Sequence, residues 1–105
     1  MAVVLAYVTC ASRDEARAIA QELVEARLAA CVNILPEIES FFVWEGRFEE
    51  AREALLVAKT VAERVEALID LVLKKHSYSL PAVLILPVSG GNPPFLKWVE
   101  HEVAG

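Results

Sequence analysis

Two apolar arms flank the pentapeptide "WEGRF" at Trp44–Phe48, and this arrangement restricts the fold more than any other feature of the chain. The leading arm, "CVNIL", reads as a strand, with Pro36 marking a bend, edge or bulge, and beyond it Ile38, Phe42 and Trp44 alternate with polar residues. Gly46 supplies the positive φ that a tight hairpin turn needs. The returning arm, "FEEAREALLVAKT", has helix-forming composition, but its place after a strand and turn and its compact "ALLVA" favour a paired strand. At roughly 3.3 Å per residue, Val32 to Trp44 spans about 43 Å, against a radius of gyration of about 13 Å for a chain this size. The hairpin must therefore bend or protrude. A protruding hairpin carrying Phe41, Phe42 and Trp44 calls for strand addition between subunits. Glu45, Glu49, Glu50 and Glu53 are expected on its solvated face.

Around the hairpin the periodicity alternates between two and 3.6. Residues 2–10, "AVVLAYVTC", form an apolar, β-branched run suited to a central strand. Ser12 and Glu15 have capping-box spacing, and Ala16, Ile19, Ala20, Leu23 and Val24 continue as one helical face to about Leu28. Thr60 and Glu63 repeat the capping signature before Val61, Val65, Leu68, Ile69 and Val72, a helix ending near "KKH", where cations suit the negative helix terminus. "AVLIL" between Pro81 and Pro87 is the fourth strand, and Asn92 with Pro93 caps a last helix that points Phe95, Trp98 and Val99 inward. The order βαββαβ plus a terminal helix predicts an α+β, ferredoxin-like fold, with an antiparallel sheet and both main helices on one face. At 105 residues, positions 1–105 are expected to form one domain.

An apolar share of 56% is more than one small core can use, which suggests apolar surface covered by further subunits. No apolar stretch approaches the roughly 20 residues of a membrane span, so no membrane partner is expected. The opening stretch lacks a preceding basic residue and runs at once into "SRDEAR", as a strand entering a helix would, and the cytoplasm is the expected location. A net charge of −5 argues against nucleic acid and mildly favours cations. Cys10 and Cys31 lack CxxC spacing and are expected as free thiols.

Several stretches in order, "RLAACVNILP" from Arg27, "WEG" from Trp44, "KT" at Lys59, "HSYSLP" from His76 and "GNPPFLKWV" from Gly91, resemble the CutA divalent-cation tolerance family over nearly the whole chain. The resemblance implies a homotrimer similar in architecture to PII signalling proteins, with copper or other divalent ions bound weakly, no obligatory cofactor and no enzymatic activity. It places Cys10 at the family's copper-binding thiol and His76 at the histidine of its usual His-Pro-Tyr. Ser77 replaces that proline, Lys75 stands where some members have a second histidine, Ala82 replaces a frequent glutamate, and Phe42 stands where an aromatic hydroxyl is common. Trp44, Glu45, Lys59, Tyr78, Phe41 and Phe42 are the further residues it suggests for a cleft or trimer interface.

Topology leads independently to the same pair. In βαββαβ, strand one and helix two end at the same edge of the domain, so Cys10 and His76 share it while Cys31 lies opposite. A thiolate with an imidazole suits copper or zinc rather than magnesium or calcium. The bland readings are a buried apolar thiol, a histidine at a helix terminus, and His101 on the surface. The alternative function is a PII-like sensor or scaffold holding a small effector between subunits. A thiol enzyme ranks last, since no orienting acid or oxyanion hole is legible.

Overall fold

A computed structural model describes residues 2–105. In chain order the elements are β1 (Val3–Cys10), α1 (Arg13–Glu25), β2 (Cys31–Trp44), β3 (Arg47–Val61), a 3-10 turn (Ala62–Arg64), α2 (Val65–Lys75), β4 (Val83–Pro87) and α3 (Pro93–Val103). The strands form one antiparallel sheet in the order β2-β3-β1-β4, the ferredoxin-like arrangement expected from βαββαβ.

Strand alternation divides the sheet into two faces. Ala6, Val8 and Cys10 of β1 pair with Ala58, Leu56 and Ala54 of β3, and these residues pack with Ile19 and Leu23 of α1 and Leu68 and Val72 of α2 in the main core. Burying each large aliphatic side chain there contributes about 1.5–3 kcal/mol. The opposite face is covered only at one end, where α3 sets Val99 and Val103 against Val3 and Val61. Phe95 and Trp98 do not point inward as the sequence suggested: they remain 38% and 41% exposed, and Val99 and Val103 are the buried residues of α3.

The hairpin protrudes, and the molecule measures 45 × 25 × 22 Å. Register between β2 and β3 shifts between Leu35 and Ile38, at the proline expected to bend the strand. At the tip Trp44 pairs with Arg47 across a two-residue loop, and Glu45 and Gly46 both have positive φ, 51° and 77°, as a type I′ turn requires.

Three local expectations change. Helix α1 stops at Glu25 rather than Leu28, because the N–H of Leu28 donates to Leu23 O and that of Arg27 to Val24 O, with Arg27 left-handed at φ 57°. This is a Schellman ending with arginine where glycine is usual. Thr60 does not cap α2: it lies within β3, its buried hydroxyl has no hydrogen-bond partner among the described residues, and the chain enters α2 through the 3-10 turn. Asn92 occupies the N-cap of α3 with Pro93 following, but its side chain makes no capping hydrogen bond.

Candidate metal centre

The end of β1 and the start of α1 build one side of the site. Ser12 caps α1, its Oγ accepting from the N–H of Glu15 at 3.1 Å. Glu15 then turns its carboxylate back, Oε1 accepting from the Ala11 N–H and Oε2 from the Ser77 N–H, each at 3.0 Å. One side chain therefore ties the β1–α1 junction to the segment leaving α2. Burial by itself would raise the Glu15 carboxyl, but the hydrogen bonds from Ser77 and Ala11 outweigh it and hold the group below its ordinary value.

His76 is the C-cap of α2, and its side chain is fully buried. Its Nε2 lies 2.7 Å from Thr9 O, and because a carbonyl only accepts, this nitrogen carries the proton and donates. Nδ1 accepts from the Tyr78 N–H at 3.1 Å and lies 3.6 Å from Glu15 Oε1. The tautomer is thus assigned from its partners. A ring N–H anchored on a backbone oxygen, with the other nitrogen turned toward potential ligands, is how proteins orient a metal-binding histidine.

Cys10 completes the cluster, and ligand atoms of Cys10, Glu15 and His76 all lie within 4.8 Å of one another. A tetrahedral shell with bonds of about 2.0–2.3 Å separates its ligand atoms by roughly 3.5 Å, so a contraction of about an ångström would close it. Burial first, then the Glu15 and Glu53 carboxylates, push the Cys10 thiol up to about 12. Such a thiol is a poor nucleophile at neutral pH, which counts against covalent catalysis. The same carboxylates that disfavour a thiolate attract a cation, and a soft divalent ion exchanges for the thiol proton on binding.

Beside this cluster Tyr78 stacks obliquely on His76, ring centroids 4.7 Å apart. Its hydroxyl donates to Glu53 Oε2 at 2.7 Å. Burial, then Glu53, raise the phenol above its ordinary value, so it stays a donor. A groove opens here, lined by Phe41, Phe42 and Trp44 of the hairpin together with Glu53 and Tyr78. Glu45 sits apart at the hairpin tip. Lys59 lies toward the other end of β3, its Nζ 3.7 Å from Cys31 Sγ and 5.5 Å from the Phe95 ring centroid.

The structure brings Cys10 and His76 together and adds Glu15, which the sequence offered only as a helix-capping residue, with Glu53, which it placed on the solvated hairpin face, hydrogen-bonded to Tyr78 beside them. Glu15 was visible as the fourth member of a capping box; its reach to Ser77 was not. Glu53 is buried rather than on the solvated hairpin face, because it lies where the hairpin leaves the sheet and Tyr78 covers it.

The sequence profile described as CutA1 divalent ion tolerance protein matches residues 4–102. The chain is 49% identical over 98 residues to the Protein CutA homolog of Xenopus laevis, a match covering 93% of this chain and 65% of that one. It spans between 54% and 65% of the length of the vertebrate CutA relatives it matches. Its fold superimposes on CutA from the bacterium Xylella fastidiosa with a TM-score of 0.95 at 38% identity, covering 99% of this chain and 100% of that one. The periplasmic divalent cation tolerance protein CutA of Archaeoglobus fulgidus gives a TM-score of 0.94 at 40% identity, with 97% and 99% of the two chains covered. The family's name refers to ion tolerance, not to a reaction. From the ordered sequence motifs, the fold and these likenesses together, the chain belongs to the CutA1 divalent ion tolerance protein family.

Proposed function

We propose that residues 1–105 act as a single domain which assembles as a homotrimer and binds copper or another soft divalent ion, such as zinc, through Cys10, Glu15 and His76. In this reading the protein takes part in the cellular response to metal ions. The observation that carries it is the convergence of a thiol, a carboxylate and an oriented imidazole within 4.8 Å, supplied by the ends of three different elements. The site is weak, because an incoming ion must displace the Tyr78 N–H from Nδ1 and take the proton of a thiol whose value stands near 12. Weak uptake suits a response to excess metal better than permanent storage.

Support for the trimer comes from the sheet face that α3 leaves open. Leu35, Leu84 and Leu86 stand exposed there, beside Leu5, Tyr7 and Val57 on the same side of β1 and β3. No helix of the described residues is long and apolar enough to cross a membrane. A reducing compartment such as the cytoplasm suits two free cysteines at opposite ends of the sheet.

Calorimetric titration of zinc and copper into metal-free protein tests the site. Cys10→Ser is expected to weaken both ions at least tenfold. Unchanged affinity for either ion would move its site elsewhere.

A further inference from the structure

A neutral imidazole has one ring nitrogen that donates and one that accepts. In His76 the donor is Nε2, committed to Thr9 O at 2.7 Å, which leaves Nδ1 as the nitrogen a metal ion can take. That nitrogen has a single in-plane lone pair, and the Tyr78 N–H occupies it at 3.1 Å. A metal ion and this N–H therefore exclude each other. Glu15 differs: each of its carboxylate oxygens accepts one backbone N–H and keeps a second lone pair, so it can ligate without giving up either partner.

Tyr78 is held in that position from its other end. Its hydroxyl donates to Glu53 Oε2 at 2.7 Å, and its ring packs obliquely on the His76 ring with centroids 4.7 Å apart. A hydrogen bond to a carboxylate is of the stronger kind, and Glu53 is only 9% exposed, so water is a poor replacement for the phenol. The N–H that must leave Nδ1 and the hydroxyl on Glu53 belong to one residue, and moving its backbone off the imidazole pulls the phenol from the carboxylate. All of these contacts lie within one chain, so they do not depend on how subunits meet.

We infer that Tyr78 is a latch on the metal site: its N–H takes the ion's place on Nδ1, its hydroxyl holds that N–H there through Glu53, and metal uptake opens both bonds together. The inference rests on the reading of Cys10, Glu15 and His76 as metal ligands and adds the residue that sets their affinity. It also gives the site an output. Tyr78 and Glu53 adjoin Phe41, Phe42 and Trp44 of the hairpin, so opening the latch carries metal occupancy to the surface proposed for contact between subunits.

Calorimetric titration of zinc into metal-free wild type and Tyr78→Phe tests the latch. The variant keeps the ring and the N–H but loses the hold on Glu53, and it is expected to bind zinc more tightly, by about fivefold or more. A residue with a merely structural role would leave affinity unchanged or weakened when cut back. Hydrogen exchange supplies a second readout and separates latch opening from the added pull of a freed Glu53 carboxylate. The chain has two tyrosines, so isotopic labelling of tyrosine nitrogen gives two amide signals, with Tyr7, paired on both sides in the sheet, as the internal reference. Zinc is expected to speed exchange of the Tyr78 amide at least tenfold and to leave Tyr7 unchanged. Equal or weaker zinc binding by folded Tyr78→Phe, or a Tyr78 amide that zinc leaves as protected as before, would each overturn the latch. If either occurs while zinc uptake still depends on Cys10, the latch alone fails; a wild type that takes up no zinc removes the metal reading and the latch with it.

Discussion

Glu15 does more than cap a helix. Its carboxylate accepts two backbone N–H groups from segments 66 positions apart, Ala11 and Ser77, and so fixes where His76 stands relative to Cys10. Because its carboxyl is held below the ordinary value of 4.5, the stabilisation it provides is fully present above that value and is lost as pH falls through the lower folded-state value. Thermal melts followed by circular dichroism from pH 7 to pH 3 should show this. Glu15→Gln is expected to melt lower at pH 7, with a shallower acid limb; parallel curves for variant and wild type would remove Glu15 from this role. The spacing of Ser12 and Glu15 made the cap legible in sequence, but the contact with Ser77 depends on how two distant loops meet. Thr60 teaches the reverse lesson. It has a capping-box partner at the right spacing, yet pairing with Val4 keeps it in the sheet and the cap never forms.

At the scale of elements, the hairpin was the most legible part of the chain. Alternation in β2, the proline at the bulge and the glycine at the tip all act locally, so sequence alone located them. The end of α1 was hidden because arginine, not glycine, takes the left-handed position. The burial of Glu53 was hidden because its cover comes from the loop before β4. The turn itself makes a testable case. An added Cβ at Gly46 meets nothing within 4 Å, so Gly46→Ala carries only the backbone cost of its φ of 77°, about 1–2 kcal/mol. Denaturant unfolding should report a loss of that size, with a smaller one for Gly46→Asn, since asparagine tolerates this conformation. A loss above roughly 3 kcal/mol would mean the turn makes contacts beyond its own backbone.

For the whole molecule, the governing fact is a sheet that helices seal fully on one face and only at one end, through α3, on the other. The open part of that face carries Leu35, Leu84 and Leu86, with Leu84 58% exposed, and the hairpin extends past it. The proposed trimer accounts for both. Light scattering at micromolar concentration is expected to give three-chain particles, reduced in mass by Leu84→Lys; a stable single-chain mass for the wild type would contradict the assembly. The central claim, however, concerns what the Cys10, Glu15 and His76 cluster holds. Zinc tests it most directly, since it cannot oxidise the thiol it binds. X-ray absorption at the zinc edge of the loaded protein should show one sulfur neighbour at about 2.3 Å beside lighter nitrogen and oxygen neighbours at about 2.0–2.2 Å. A shell of nitrogen and oxygen alone, without sulfur, would contradict the account.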